Sequence, residues 1–249
     1  MTELHLRARS VTELVDAAFS LYRRNAMDYI VLSAICMLPL LFFQLVVQGP
    51  EAAIRPSLDW TAFGSFAVSI VTYGLVAATV ILMGSRSYLG EPTDVAATVR
   101  EVLPRVPAVI VVTILRFLLY TAYVFLFLIG VLYAAARWFG VTPAVVLEGK
   151  NPWAALGRSS ELSSGRKGHI LKTLALIWVI YFLMFFGATA LAAVTGSAIV
   201  RVLVNIMIGV IANPIIALVE MVLYYDARIR SEGFDLEQMA GALDSRPAT

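Results

Sequence analysis

The chain has 249 residues, 60% of them apolar and only 14% Asp, Glu, Lys or Arg, with a mean hydropathy of +0.83. Soluble domains carry roughly 25% charged residues, so a water-soluble domain is excluded and a membrane protein is indicated. The net charge of +2 is too balanced to point to nucleic acid, the single Cys36 excludes an internal disulfide, and two histidines, His5 and His169, are too few for a His-rich metal site.

In chain order, residues 1–27 precede the first apolar run and show no signal-peptide layout; Thr2 in place of glycine argues against myristoylation, so we expect a retained, unlipidated N-terminus. Ser10 and Glu13 have capping-box spacing, and Val11, Leu14, Val15, Ala18, Phe19 and Tyr22 recur on one helical face opposite Glu13, Asp16, Arg23 and Arg24. This pattern predicts an amphipathic surface helix. A membrane span needs about 20 apolar residues, and Tyr29–Val47 and Ala62–Gly84 satisfy this without an ionised side chain. A second surface helix is predicted after Gly90-Glu91-Pro92, capped by Thr93, carrying Val95, Val99, Val102 and Leu103, and stopped by Pro104. Pro107–Leu147 as one helix would be about 60 Å long, twice what a bilayer buries. An out-and-back pair turning at Gly130 fits better. Asn151-Pro152 opens a third surface helix that shows Trp153 and Leu156 and ends at Gly165. Ile170–Val194 follows, with Lys172 near one end, and then Ala198–Tyr225, long enough to kink near Asn213-Pro214 and project from the membrane. Residues 226–249 form a tail with a short helix.

With six spans, Arg7, Arg9, Arg23, Arg24, Arg86, Arg100, Arg105, Lys150, Arg158, Arg166, Lys167, Arg228, Arg230 and Arg246 share one side, and Arg55 alone stands opposite. The positive-inside rule places both termini in the cytoplasm. Tyr22, Tyr29, Trp60, Tyr88, Trp153, Tyr224 and Tyr225 fall near the predicted membrane boundaries, as interfacial aromatics do. The expected fold is an all-α membrane protein, with a six-helix domain over residues 28–225 arranged as three hairpins, each preceded by a cytoplasmic amphipathic helix. This amounts to a parallel threefold repeat.

Arg116, Arg137 and Glu220 fall at membrane depth, where an ionised group costs about 2.5–3.5 kcal/mol. Helical spacing places Arg116 about 13 Å and Arg137 about 15 Å from an edge, both near the midplane. Thr113, Arg116, Tyr120 and Tyr123 share one face of the third span, and Arg201, Asn205, Asn213 and Glu220 one face of the sixth. Two readings follow: a polar path or small anion site bounded by Arg116, Arg137, Asn205, Asn213 and Glu220, or structural ties in which Glu220 pairs with an arginine and the asparagines join helices. The chain has no G-x-S-x-G elbow, no H-E-x-x-H, no Walker loop and no G-x-G-x-x-G following a strand, so no enzyme activity and no cofactor are expected. His169, beside Arg166 and Lys167, reads as an interfacial residue facing lipid head groups.

Two stretches carry a resemblance. The first runs from Leu128-Ile129-Gly130 through Thr142-Pro-Ala-Val-Val-Leu-Glu148-Gly to Ala154-Ala-Leu-Gly-Arg158-Ser-Ser-Glu-Leu162-Ser-Ser-Gly165, and the second is Tyr224-Tyr-Asp226-Ala-Arg228-Ile-Arg230-Ser-Glu232-Gly233-Phe-Asp235-Leu-Glu237. Both resemble the glycerophosphoryl diester phosphodiesterase membrane-domain family. The resemblance implies a multi-pass module of the bacterial inner membrane. Members that give the family its name carry a separate phosphodiesterase barrel, whose His and Glu residues have no counterpart in these membrane segments. Asp226 with Arg228 and Arg230 would mark the cytoplasmic exit of the last helix, Gly233 would end it, and Asp235 with Gln238 would cap the tail helix. Glu148 and Arg158 would pair at the cytoplasmic surface.

The functional expectation is a non-enzymatic scaffold or accessory subunit holding membrane lipid and a protein partner or a second copy. The alternative is a small transporter or channel component using the polar faces of the third and sixth spans.

Overall fold

The structure, a computed structural model, describes residues 8–55, 58–124 and 127–233, and every regular element within them is helical. Six stretches are long and apolar enough to cross a membrane: Ala26–Val47, Trp60–Leu89, Val95–Val124, Ile129–Glu148, Lys167–Val194 and Ala198–Glu232. This is the make-up of a multi-pass helical membrane protein.

Helix α1 (Val11–Arg24) starts at Ser10, whose hydroxyl accepts from the Glu13 N–H while the Glu13 carboxylate takes the Ser10 N–H at 2.8 Å. It buries Leu14, Ala18 and Leu21 against α10 (Ala198–Glu232) and α9 (Lys167–Val194). Helix α2 (Ala26–Phe42) contains Pro39 and widens into a π-helical turn, Phe43–Val47, before Gly49 reverses the chain at φ 82°, a conformation that side chains rarely adopt. A short 3₁₀ turn, Pro50–Ala53, then rests on α10. Helix α3 (Trp60–Leu89) is capped by Asp59, which accepts from the Thr61 and Ala62 N–H groups.

Asp94, not Thr93, caps α4 (Val95–Val102): its carboxylate takes the Ala97 N–H at 2.6 Å, while Thr93 receives the Asn25 amide. A carboxylate is the better partner for the helix's partial positive charge. Pro104 does not end the helical path. It lies in the 3₁₀ turn Leu103–Arg105, where the missing N–H is tolerated, and α5 (Val106–Val124) continues directly. Gly130 is likewise not a turn, because α6 (Phe127–Arg137) runs through it. The fourth stretch breaks instead at Trp138–Gly140, between α6 and α7 (Val141–Glu148). Asn151 caps α8 (Pro152–Leu162) through its Oδ1 and the Ala154 N–H, and α8 folds back on α7. Gly165, φ 72°, lies in the turn leading to α9.

Helix α10 is the axis of the bundle, packing against α1, α2, α3, α7, α8 and α9. It is continuous through Pro214 to Gly233, so Asp226, Arg228 and Arg230 belong to the last helix. Its buried residues concentrate from Ala212 to Ile229, with Leu218, Val219, Met221, Val222 and Tyr224 at 0% exposure. Helix α9 contrasts with it: only Ile170, Thr173, Ile177 and Ala192 are buried, and Trp178, Phe182 and Phe186 face outward. Residues 234–249, including Asp235 and Gln238, lie outside the described residues.

Candidate functional site

Arg116, on α5, and Glu220, on α10, form an ion pair with Nη1 2.9 Å from Oε1. Glu220 is 7% exposed; the Arg116 guanidinium also reaches the Thr142 hydroxyl on α7 at 3.5 Å and lies over the Tyr120 ring. Neither charge could be held alone inside the bundle. Together they form one neutral unit, in which the arginine's remaining N–H groups face a hydroxyl and an aromatic ring instead of hydrocarbon.

Arg137 does not join this unit. Its Nε donates to the Ser160 hydroxyl of α8 at 3.0 Å, its Nη1 reaches the Tyr133 hydroxyl, and its guanidinium lies over Trp138. The ring of Tyr133 also receives Lys167, the first residue of α9, so Arg137 is tied to the α8–α9 end of the bundle. The α6–α7 break follows directly after Arg137. Ser159 holds that break by donating to the Arg137 carbonyl and accepting the Gly140 N–H, both at 3.0 Å.

Glu148, at the end of α7, meets Arg158 of α8 through three N–H···O contacts of 3.0–3.2 Å. The Tyr224 hydroxyl donates to the same carboxylate at 2.6 Å, and Arg158 extends to Glu232, which also takes Arg228 at 3.2 Å. These hydrogen bonds, first from Glu232 and then from Glu148, hold the Arg158 guanidinium above its ordinary range although burial opposes it. Asp226 does not pair with Arg228. Its carboxylate accepts from Arg230 Nε and the Arg9 N–H, each at 2.7 Å, while the Arg230 guanidinium returns to the Arg9 carbonyl. One helical turn separates Asp226 from Arg230, the spacing at which side chains meet; two residues turn Arg228 to another face. His169 stands 3.5 Å from Asp226 with Nε2 buried, so it faces this cluster.

The two asparagines lie farther along α10. Asn213 has a buried Nδ2 without a partner, near Gly209 and Met37. Asn205 lines a cavity of about 200 Å³ with Gln44, Gln48, Gly49, Ala52, Ala53, Ser65 and Val202. Neither asparagine contacts the Arg116–Glu220 pair.

Sequence reasoning did not single out Gln44, Gln48 or Ser65, and it named Tyr224 as an interfacial aromatic and Thr142, Ser160 and Glu232 within motifs without assigning them these contacts. The spacing of Arg228 and Glu232, and of Gln44 and Gln48, four residues apart on a helical path, was the available signal. Comparison of the chain with protein-family profiles, curated proteins and solved structures finds no match to any of them.

Proposed function

We propose that the chain is a non-enzymatic membrane scaffold or accessory subunit of a bacterial inner-membrane complex, akin to the membrane-domain family it resembles. In this reading it crosses the membrane as three hairpins, each preceded by a cytoplasmic amphipathic helix, and has both termini in the cytoplasm. The observation that carries the reading is the mutual neutralisation of Arg116 and Glu220. The two deep charges are spent on one another, with Thr142 and Tyr120 completing the contacts, and neither lines the polar cavity at the other end of α10. The gathering of Arg9, Arg158, Arg166, Arg228 and Arg230 around the C-terminal end of α10 supports a cytoplasmic assignment for that end. The sparse burial of α9 leaves a long apolar face for lipid or a partner helix.

Native mass analysis of the chain, extracted mildly from its own membrane at normal abundance, tests this. A stoichiometric protein partner is the expected result. A monomer or homo-oligomer carrying only lipid or a small anion overturns it, and loss of a flux on Arg116→Ala in folded protein would favour the transport reading.

A further inference from the structure

At the end of α10 remote from Asp226, the cavity of about 200 Å³ is walled by three carboxamides, Gln44, Gln48 and Asn205, and by the Ser65 hydroxyl. By the usual measure a single water needs roughly 10–15 Å³, so the space suits a small polar group. The π-helical turn Phe43–Val47 and the left-handed Gly49 shape one wall; the extra residue in a π turn shifts the register of the side chains beyond it. Asn205 Oδ1 is a buried acceptor without a hydrogen-bond partner, so the bound group must also bring an O–H, as a protonated phosphate or a lipid head with a hydroxyl does. One turn earlier on α10, Arg201 has a buried, unpartnered Nε, and its Nη1 makes only a 3.4 Å contact with the carbonyl of Ala53, itself part of the wall. Among the described residues, no acidic side chain lines the cavity. A guanidinium with donors to spare, beside carboxamides and a hydroxyl, is the donor set that oxyanions require.

We propose that this cavity binds an oxyanion head, with Arg201 supplying the charge and Gln44, Gln48, Ser65 and Asn205 the neutral hydrogen bonds. Phosphate chemistry is shared by free phosphate and by anionic lipid head groups, and the site's place at a span end admits both. The proposal is independent of any protein partner, so it stands or falls separately from the scaffold reading.

The test uses the purified full chain in two arms: calorimetric titration with inorganic phosphate in detergent, and lipid retention by native mass spectrometry from phosphatidylcholine nanodiscs with and without phosphatidylglycerol. Saturable binding in either arm is expected. Arg201→Gln should weaken it about tenfold, the loss of one charge-assisted hydrogen bond, while Arg201→Lys should retain most of it. Gln48→Ala, at the cavity rim, should weaken it less and serves as the second variant should Arg201→Gln fail to fold. Retention of phosphatidylglycerol alone assigns a lipid head, and response to phosphate alone assigns the free anion. Absence of binding in both arms, or binding unchanged in folded Arg201→Gln and Gln48→Ala, overturns the proposal.

Discussion

Arg116 and Glu220 lie 104 residues apart in the chain and meet at 2.9 Å, an ion pair that joins the third membrane-length stretch to the last. The helices that carry them pack mainly against other elements, α5 on α3, α6 and α7 and α10 on α1, α2, α3 and α9, so the ion pair is a tie between them that general packing does not replace.

Removing one member leaves the other charged and buried, which costs about 3–5 kcal/mol in known cases. Glu220→Gln and Arg116→Met should each lower unfolding stability by about this amount, and the double variant should recover much of the loss. A double-mutant cycle in detergent measures this; additive losses would show that the pair is not coupled.

Tyr224 is fully buried and donates to Glu148 at 2.6 Å. Tyr224→Phe keeps the ring and removes one hydrogen bond to a carboxylate, for an expected loss of about 2 kcal/mol. Arg158→Lys should cost a similar amount, since an ammonium cannot reproduce the fork that holds Glu148 and Glu232 together. Denaturant midpoints of the two variants check both.

Gly140 faces the ring of Tyr224, and a Cβ at Gly140 would stand 2.6 Å from Cδ2. Gly140→Ala should therefore destabilise by about 1–3 kcal/mol through overpacking. Gly187, inside α9, has nothing within 4 Å of its Cβ position, and Gly187→Ala should be neutral or stabilising by up to about 1 kcal/mol. Paired thermal melts separate the two sites, and equal shifts would contradict the packing.

Ser10 and Glu13 satisfy one another's end of α1. Ser10→Ala should cost about 1 kcal/mol locally. Amide exchange in the first turn of α1 should quicken while exchange in α10 is unchanged.

The membrane stretches were legible in the sequence because the thickness of a bilayer converts directly into a run of about 20 apolar residues. Local chemistry likewise announced Ser10, Asn151 and Gly233 as helix ends, since a cap depends on residues within one turn of itself. Breaks inside helical paths were less legible. Gly130 and Pro104 looked like punctuation but were absorbed, because a helix held by tertiary packing tolerates a residue of poor propensity.

What only the tertiary structure decided was partnership. A helical wheel places Arg116 and Glu220 on polar faces, yet whether Glu220 meets Arg116 or Arg137 depends on how each helix is rotated and how far it is shifted along its axis. Those two quantities are set by packing: α10 at the centre, α3 and α7 packed on it, α5 packed on α3 and α7, and the α6–α7 break that carries Arg137 to Ser160. The same dependence gave Asp226 to Arg230 and Arg9, gave Arg228 to Glu232, and brought two glutamines from the end of α2 to the asparagine near the start of α10.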